Sequence, residues 1–118
     1  MTGETTSIGR ITISPRAIST IASQAAMQSY GVVGMASKNL ADGIVQVFAR
    51  DPRHGVQVNS LGDQIAIDLF VIIEYGTRIS SVAASVANSV RYQVERAIGL
   101  PVAAVNVHVQ DLRVSDID

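Results

Sequence analysis

The chain has 118 residues, 47% of them hydrophobic and 16% charged, with nine basic side chains against ten acidic ones. That length suits one compact domain, expected over residues 1–118 with its core at about 8–114 and loose ends at 1–7 and 115–118. The near balance of charge advertises neither a nucleic-acid groove nor a polyanionic substrate, and the absence of cysteine excludes disulfides, thiolate nucleophiles and sulfur-ligated metals.

The opening "MTGETTSIGR" lacks the apolar core of a secretory signal, so no export by that route is expected. In "IGRITIS" Ile11 and Ile13 alternate with Arg10 and Thr12, the period of a half-buried strand. Ser14 then offers a helix cap, with Pro15 at the first helical position, where its missing N–H costs nothing. Ile18, Ile21, Ala22, Ala25 and Ala26 recur at helical spacing, a narrow stripe that lets a sheet approach closely.

The stretch "SYGVVGMAS" follows, and its two glycines two residues apart match in outline the backbone-clamping GXXG loop of KH domains. The surrounding residues point elsewhere. Val32 and Val33 fill the loop, Tyr30 precedes it, Met35 and Ala36 follow, and the first basic residue is Lys38. Valine against phosphate would desolvate it without compensation. The structural reading makes Gly31 a left-handed helix cap and Gly34 a turn, with the valines and Met35 tucked onto the core.

Leu40, Ile44, Val47 and Phe48 suit one face of a short helix capped near Asp42, although the β-rich "IVQVF" also reads as a strand. Pro52 and Gly55 mark a turn. "VQVNS" and "QIAIDLFVIIEYG" then read as two strands joined at Leu61-Gly62-Asp63. In the longer strand, one face holds Ile65, Ile67, Leu69, Val71, Ile73 and Tyr75, and the other holds Ala66, Asp68, Phe70, Ile72 and Glu74. Its middle is apolar on both faces, as in a central or doubly covered strand. The run "IAIDLFVII" is nine residues and contains Asp68, against the roughly 20 apolar residues that span a bilayer.

From Ile79 to Ile98 the residues Ile79, Val82, Ala83, Val86, Ala87, Val90, Val94 and Ala97 hold a helical stripe, stopped by Gly99 and Pro101. The last strand, "VAAVNVHVQDLRV", sets Val105, Val107 and Val109 inward against Asn106, His108 and Gln110 outward. The order is β-α-(short α)-β-β-α-β, with no internal repeat. The expected fold is an α+β two-layer sandwich, a small and mostly antiparallel sheet with two main helices on one face.

Four stretches, "GRITISPRAISTIASQAA", "YGVVGMA", "IAIDLFVIIEYGTRISSVAASVANSVRYQVERAIGLPV" and "VNVHVQDLRV", resemble in order and spacing the alkaline shock protein family, the YloU-like envelope stress-response proteins of mostly Gram-positive bacteria. The resemblance covers Gly9 to Val114 and implies a small cytoplasmic protein of envelope homeostasis. Some members lie near the membrane through an anchoring partner, and YloU-like genes often neighbour a dihydroxyacetone-kinase-like fatty acid kinase. It supplies no catalytic residues.

The residues themselves offer little chemistry. His54 sits in the Pro52 to Gly55 turn and His108 on an outward strand face, neither with metal-ligand spacing. Asp68 and Glu74 share a strand face but stand roughly 20 Å apart at strand rise, too far to act as an acid and base pair. Asp68 reads as a charge on a solvated or interfacial face. Gly76, Thr77 and Arg78 precede a helix N-terminus, but without the paired glycines and Gly-Lys-Ser/Thr ending of a phosphate loop they read as a strand-to-helix turn. The outer face of the second helix carries Ser81, Ala84, Ser85, Asn88, Arg91 and Glu95, a candidate interaction surface that equally fits a solvated helix. The expected function is therefore that of a noncatalytic interaction or scaffold protein, needing no metal or cofactor and spanning no membrane. It would act through a protein partner or self-association. An accessory to a fatty acid kinase ranks second and a KH-like nucleic-acid module third.

Overall fold

A computed structural model describes residues 3–6, 9–36 and 55–114. A hairpin comes first: β1 (Gly3–Thr6) pairs antiparallel with β2 (Gly9–Thr12) and with no other strand among the described residues. The alternating "IGRITIS" thus contributes a strand, but outside the main sheet. Residues 3–6, expected to be loose, supply its partner.

Helix α1 spans Pro15–Met27 and starts as its sequence dictates, the Ser14 hydroxyl accepting from the Ala17 N–H at 3.2 Å. It ends without a glycine cap. Gln28 is the capping residue, and the Ser29 hydroxyl donates to the Ala25 carbonyl at 3.0 Å. Gly31 does hold a left-handed backbone (φ 89°), but three residues past that cap, where it turns the chain into β3 (Val32–Met35). Its carbonyl accepts from the Glu74 N–H at 2.8 Å, fixing the start of β3 against the sheet. Gly34, expected in a turn, lies buried inside β3, opposite Ile72 and beside a register shift. The β-branched pair Val32-Val33 before it prevails over the local turn signal of the two glycines.

The sheet is organised around β5 (Gln64–Glu74). On one edge β3 pairs antiparallel with its C-terminal part, Val71 to Ile73, and β4 (Val56–Leu61) pairs antiparallel with Gln64 to Leu69. The two short strands therefore lie end to end along the same edge. Phe70 marks the junction: its carbonyl accepts from the Ala36 N–H at 2.9 Å and its N–H donates to the Gly55 carbonyl at 2.8 Å. Gly55 adopts φ 79° there, and a Cβ on it would fall 2.8 Å from that of Met35, so only glycine fits. Residues 39–50, read as a short helix or a strand, fall outside the described residues, as do His54 and Lys38.

Helix α2 (Ile79–Ile98) ends at Gly99, in the left-handed conformation at φ 76°. It carries the chain across to β6 (Val102–Arg113), parallel to β5 along the other edge. With two antiparallel pairings and one parallel, the main sheet is the mostly antiparallel one expected. Both helices cover one face. Ile18, Ala22, Ala25 and Ala26 of α1 and Val82, Val86, Val90 and Val94 of α2 close over Ile65, Ile67, Leu69, Val71 and Ile73. The architecture is an α+β two-layer sandwich.

Candidate functional site

The face of β5 turned away from the helices carries a polar cluster built by register. Gln57 of β4 and Asn106 of β6 flank Asp68, while His108 of β6 flanks Phe70. Asp68 therefore meets donors from both sides. Its Oδ2 accepts from Asn59 Nδ2 at 3.0 Å, and its Oδ1 accepts from Asn106 Nδ2 at 3.1 Å and stands 3.0 Å from His108 Nε2. An ionised carboxylate offers only acceptors, so Nε2 carries the proton in this pair. Gln57 Nε2 extends the chain, donating to Asn59 Oδ1 at 3.3 Å.

The His108 ring lies flat on Phe70, centroids 4.6 Å apart and planes 13° from parallel, which covers an aromatic that would otherwise face solvent. Asp68's carboxyl is held below its ordinary value, first by the hydrogen bond from His108. Burial opposes this, while the Asn106 bond, the histidine's charge and the Asn59 bond reinforce it. Beside the cluster, Gly55, Val56, Gln57 and Phe70 line a small cleft of about 210 Å³.

Chemically this arrangement is a cross-brace. One carboxylate ties together three strands by charge-assisted hydrogen bonds. A histidine oriented by an aspartate is half of an acid–base apparatus, but the residues that the cluster joins, Gln57, Asn59, Phe70 and Asn106, bring no nucleophilic hydroxyl or thiol. Among the described residues, no three His, Cys, Asp or Glu side chains come together as a metal site.

The sequence placed Asp68 and His108 each on an outward face but did not bring them together, because a parallel pairing across a 20-residue helix sets their register. One signal was present: a lone aspartate in a strand apolar on both faces needs partners from its neighbours, and "NVH" on the last strand supplies two.

The predicted surface on α2 divides. Ser81, Ala84, Ser85 and Asn88 are exposed along one face. Arg91 and Glu95 instead clasp the first residue of β6: Arg91 Nη1 donates to the Val102 carbonyl at 2.6 Å, and the Val102 N–H donates to Glu95 Oε2 at 2.8 Å. The two side chains also approach each other at 3.8 Å. Gly76 to Arg78 form a strand-to-helix turn, the Thr77 hydroxyl donating to the Glu74 carbonyl at 2.8 Å. No helix among the described residues is long and apolar enough to cross a membrane.

Comparison with known proteins agrees with this fold. The uncharacterized protein YloU of Bacillus subtilis strain 168 is 45% identical over 113 residues, 94% of each chain. A stress response regulator gls24 homolog of Streptococcus pyogenes serotype M3 is 33% identical over 86 residues, 73% of this chain and 47% of its own. Among solved structures, a histidine-to-alanine variant of the MamM C-terminal domain superposes with a TM-score of 0.52 at 15% identity, covering 83% of this chain and 98% of that one, a likeness of fold alone. The model of the alkaline shock protein 23 family, described as having a cell envelope-related function, matches residues 3–114, and the chain belongs to that family.

Proposed function

We propose that this protein is a noncatalytic interaction or scaffold protein of cell-envelope homeostasis, a single domain on the cytoplasmic side that self-associates and is held near the inner membrane face by a protein partner. The observation that carries this reading is the outer face of α2, where Ser81, Ala84, Ser85 and Asn88 stand exposed at helical spacing. Small side chains in a row let another backbone approach closely and lose little side-chain entropy on docking. The family's envelope-related description and the stress-response name of a relative fit a role in that setting. The polar cluster at Asp68 fits a noncatalytic reading, since its donors are committed to joining strands.

The test is in-cell crosslinking from a photoreactive residue at Ser85, with identification of what is captured. A discrete homo-oligomer or a defined envelope-associated complex is expected. Capture of a dihydroxyacetone-kinase-like kinase whose activity changes on adding this protein would replace the scaffold with a kinase accessory. Strictly monomeric protein at high concentration with nothing captured would end the proposal.

A further inference from the structure

Five of the six large hydrophobic side chains exposed among the described residues gather at one end of the molecule: Tyr30, Tyr75, Ile79, Leu112 and Val114, with Tyr92 alone elsewhere. Single exposed apolar residues are ordinary on a surface, whereas a contiguous group marks a place of contact. Backbone hydrogen bonds assemble the group around the end of β5. The Glu74 N–H donates to the Gly31 carbonyl, which seats Tyr30 on one side, and the Tyr75 N–H donates to the Arg113 carbonyl at 2.8 Å, which seats Leu112 and Val114 on the other. Ile79 opens α2 one turn before Val82, the residue that a Cβ on Gly31 would strike. Leu112 pairs in register with Ile73, yet Ile73 is fully buried and Leu112 exposed, so the apolar sheet runs on past its covered part.

We propose that this end docks on the same end of a second copy of the chain, about a two-fold axis. Area sets the kind of contact. A buried aromatic contributes roughly 150–250 Å², so two largely exposed tyrosines and three aliphatic side chains offer about 500 Å² per copy. Doubled across the axis that is about 1,000 Å², the threshold of a specific interface and well short of a permanent one. The dimer should therefore form and dissociate with concentration. Charge does not oppose it, because the rim carries Arg78 and Arg113 against Glu74 and Asp111, and neither guanidinium has an ion-pair partner among the described residues. An axis that brings Arg113 of one copy to Asp111 of the other makes the reciprocal pair as well, so one contact is made twice. The inference rests on the self-association in the proposed function and assigns it to this end of the sheet, leaving the outer face of α2 to another protein.

The chain has three tyrosines and neither tryptophan nor cysteine, so dityrosine coupling by a brief photo-oxidation reports their contacts in the wild-type protein, with no variant needed. In a mixture of unlabelled and isotopically labelled protein, linked peptides that combine the two labels come from different copies. They should join Tyr30 or Tyr75 of one copy to Tyr30 or Tyr75 of the next. Linkage through Tyr92 alone would place the contact on α2, overturning this interface while leaving self-association standing. Sedimentation gives the second readout: Tyr75→Glu and Val114→Glu, each at an exposed position, should raise the dimer dissociation constant by about tenfold or more, and Tyr92→Glu should leave it unchanged. Wild-type affinity in both end variants would overturn the interface. A wild type that stays monomeric at every concentration and forms no mixed-label links would overturn both readings, whether residues 115–118 of the same chain or another protein cover the patch.

Discussion

His108 Nε2 lies 3.0 Å from Asp68 Oδ1, joining the last strand to the central one across the sheet face opposite the helices. Replacing the carboxylate by its amide, Asp68→Asn, keeps the shape but removes the charge that three donors share. We expect a loss of about 1–2 kcal/mol, the lower range for charge-assisted hydrogen bonds because the cluster is partly exposed. Urea denaturation at neutral pH measures it, and equal midpoints would mean that the cluster contributes nothing to folding.

The same pair predicts a pH dependence with a definite sign. Asp68 is held below its ordinary pKa in the folded protein, so between the folded and unfolded values the unfolded chain binds more protons. Its stabilisation is complete above the ordinary aspartate range and fades as pH falls through the depressed folded value. The stability gap between wild type and Asp68→Asn should therefore be constant at neutral pH and close in acid. A gap that widened in acid would contradict the arrangement of donors.

Gly31 couples a backbone requirement to a packing one. Its φ of 89° suits glycine, and a Cβ there would meet Val82 Cγ2 at 2.9 Å. Gly31→Ala should cost about 1–3 kcal/mol, visible as a lower melting temperature. A melt that matched wild type would show that the turn into β3 is not constrained.

On α2 the polar residues should separate by role. Arg91→Ala removes the donor to the Val102 carbonyl and should cost about 1 kcal/mol. Ser85→Ala, exposed, should change stability by less than about 0.5 kcal/mol. Thermal melts of the two variants side by side test this, and equal effects would return Arg91 to the free surface.

The glycine pair makes a fifth prediction. Because Val32 to Met35 form a strand paired to β5, GVVG is not a loop between helices that could close on a phosphate backbone. Gel shifts at low salt with single-stranded RNA and duplex DNA should show no binding, and Lys38→Ala should change nothing. A salt-sensitive complex would reopen the nucleic-acid reading.

These cases also show which features a sequence carries openly. Ser14-Pro15 and Gly99-Pro101 announce the helix boundaries because capping is local chemistry, read within one turn. The alternation in Ile65 to Ile73 likewise gave the central strand its two faces. Pairings between distant segments were not legible: β3 and β4 sharing one edge of β5 depends on how the chain returns at Gly55, and Asp68 meeting His108 depends on a parallel register set by the length of α2. Arg91 and Glu95 read as free surface for the same reason, since their partner is the backbone of Val102, which only the folded chain brings near.

The central claim is that this chain works by association, and the solution mass of the purified wild-type protein tests it most directly. Sedimentation equilibrium over a wide concentration range should give a discrete assembly of at least two copies, each 12.5 kDa. A monomeric mass at the highest concentration, from a protein that also captures no partner in crosslinked cells, would contradict the account.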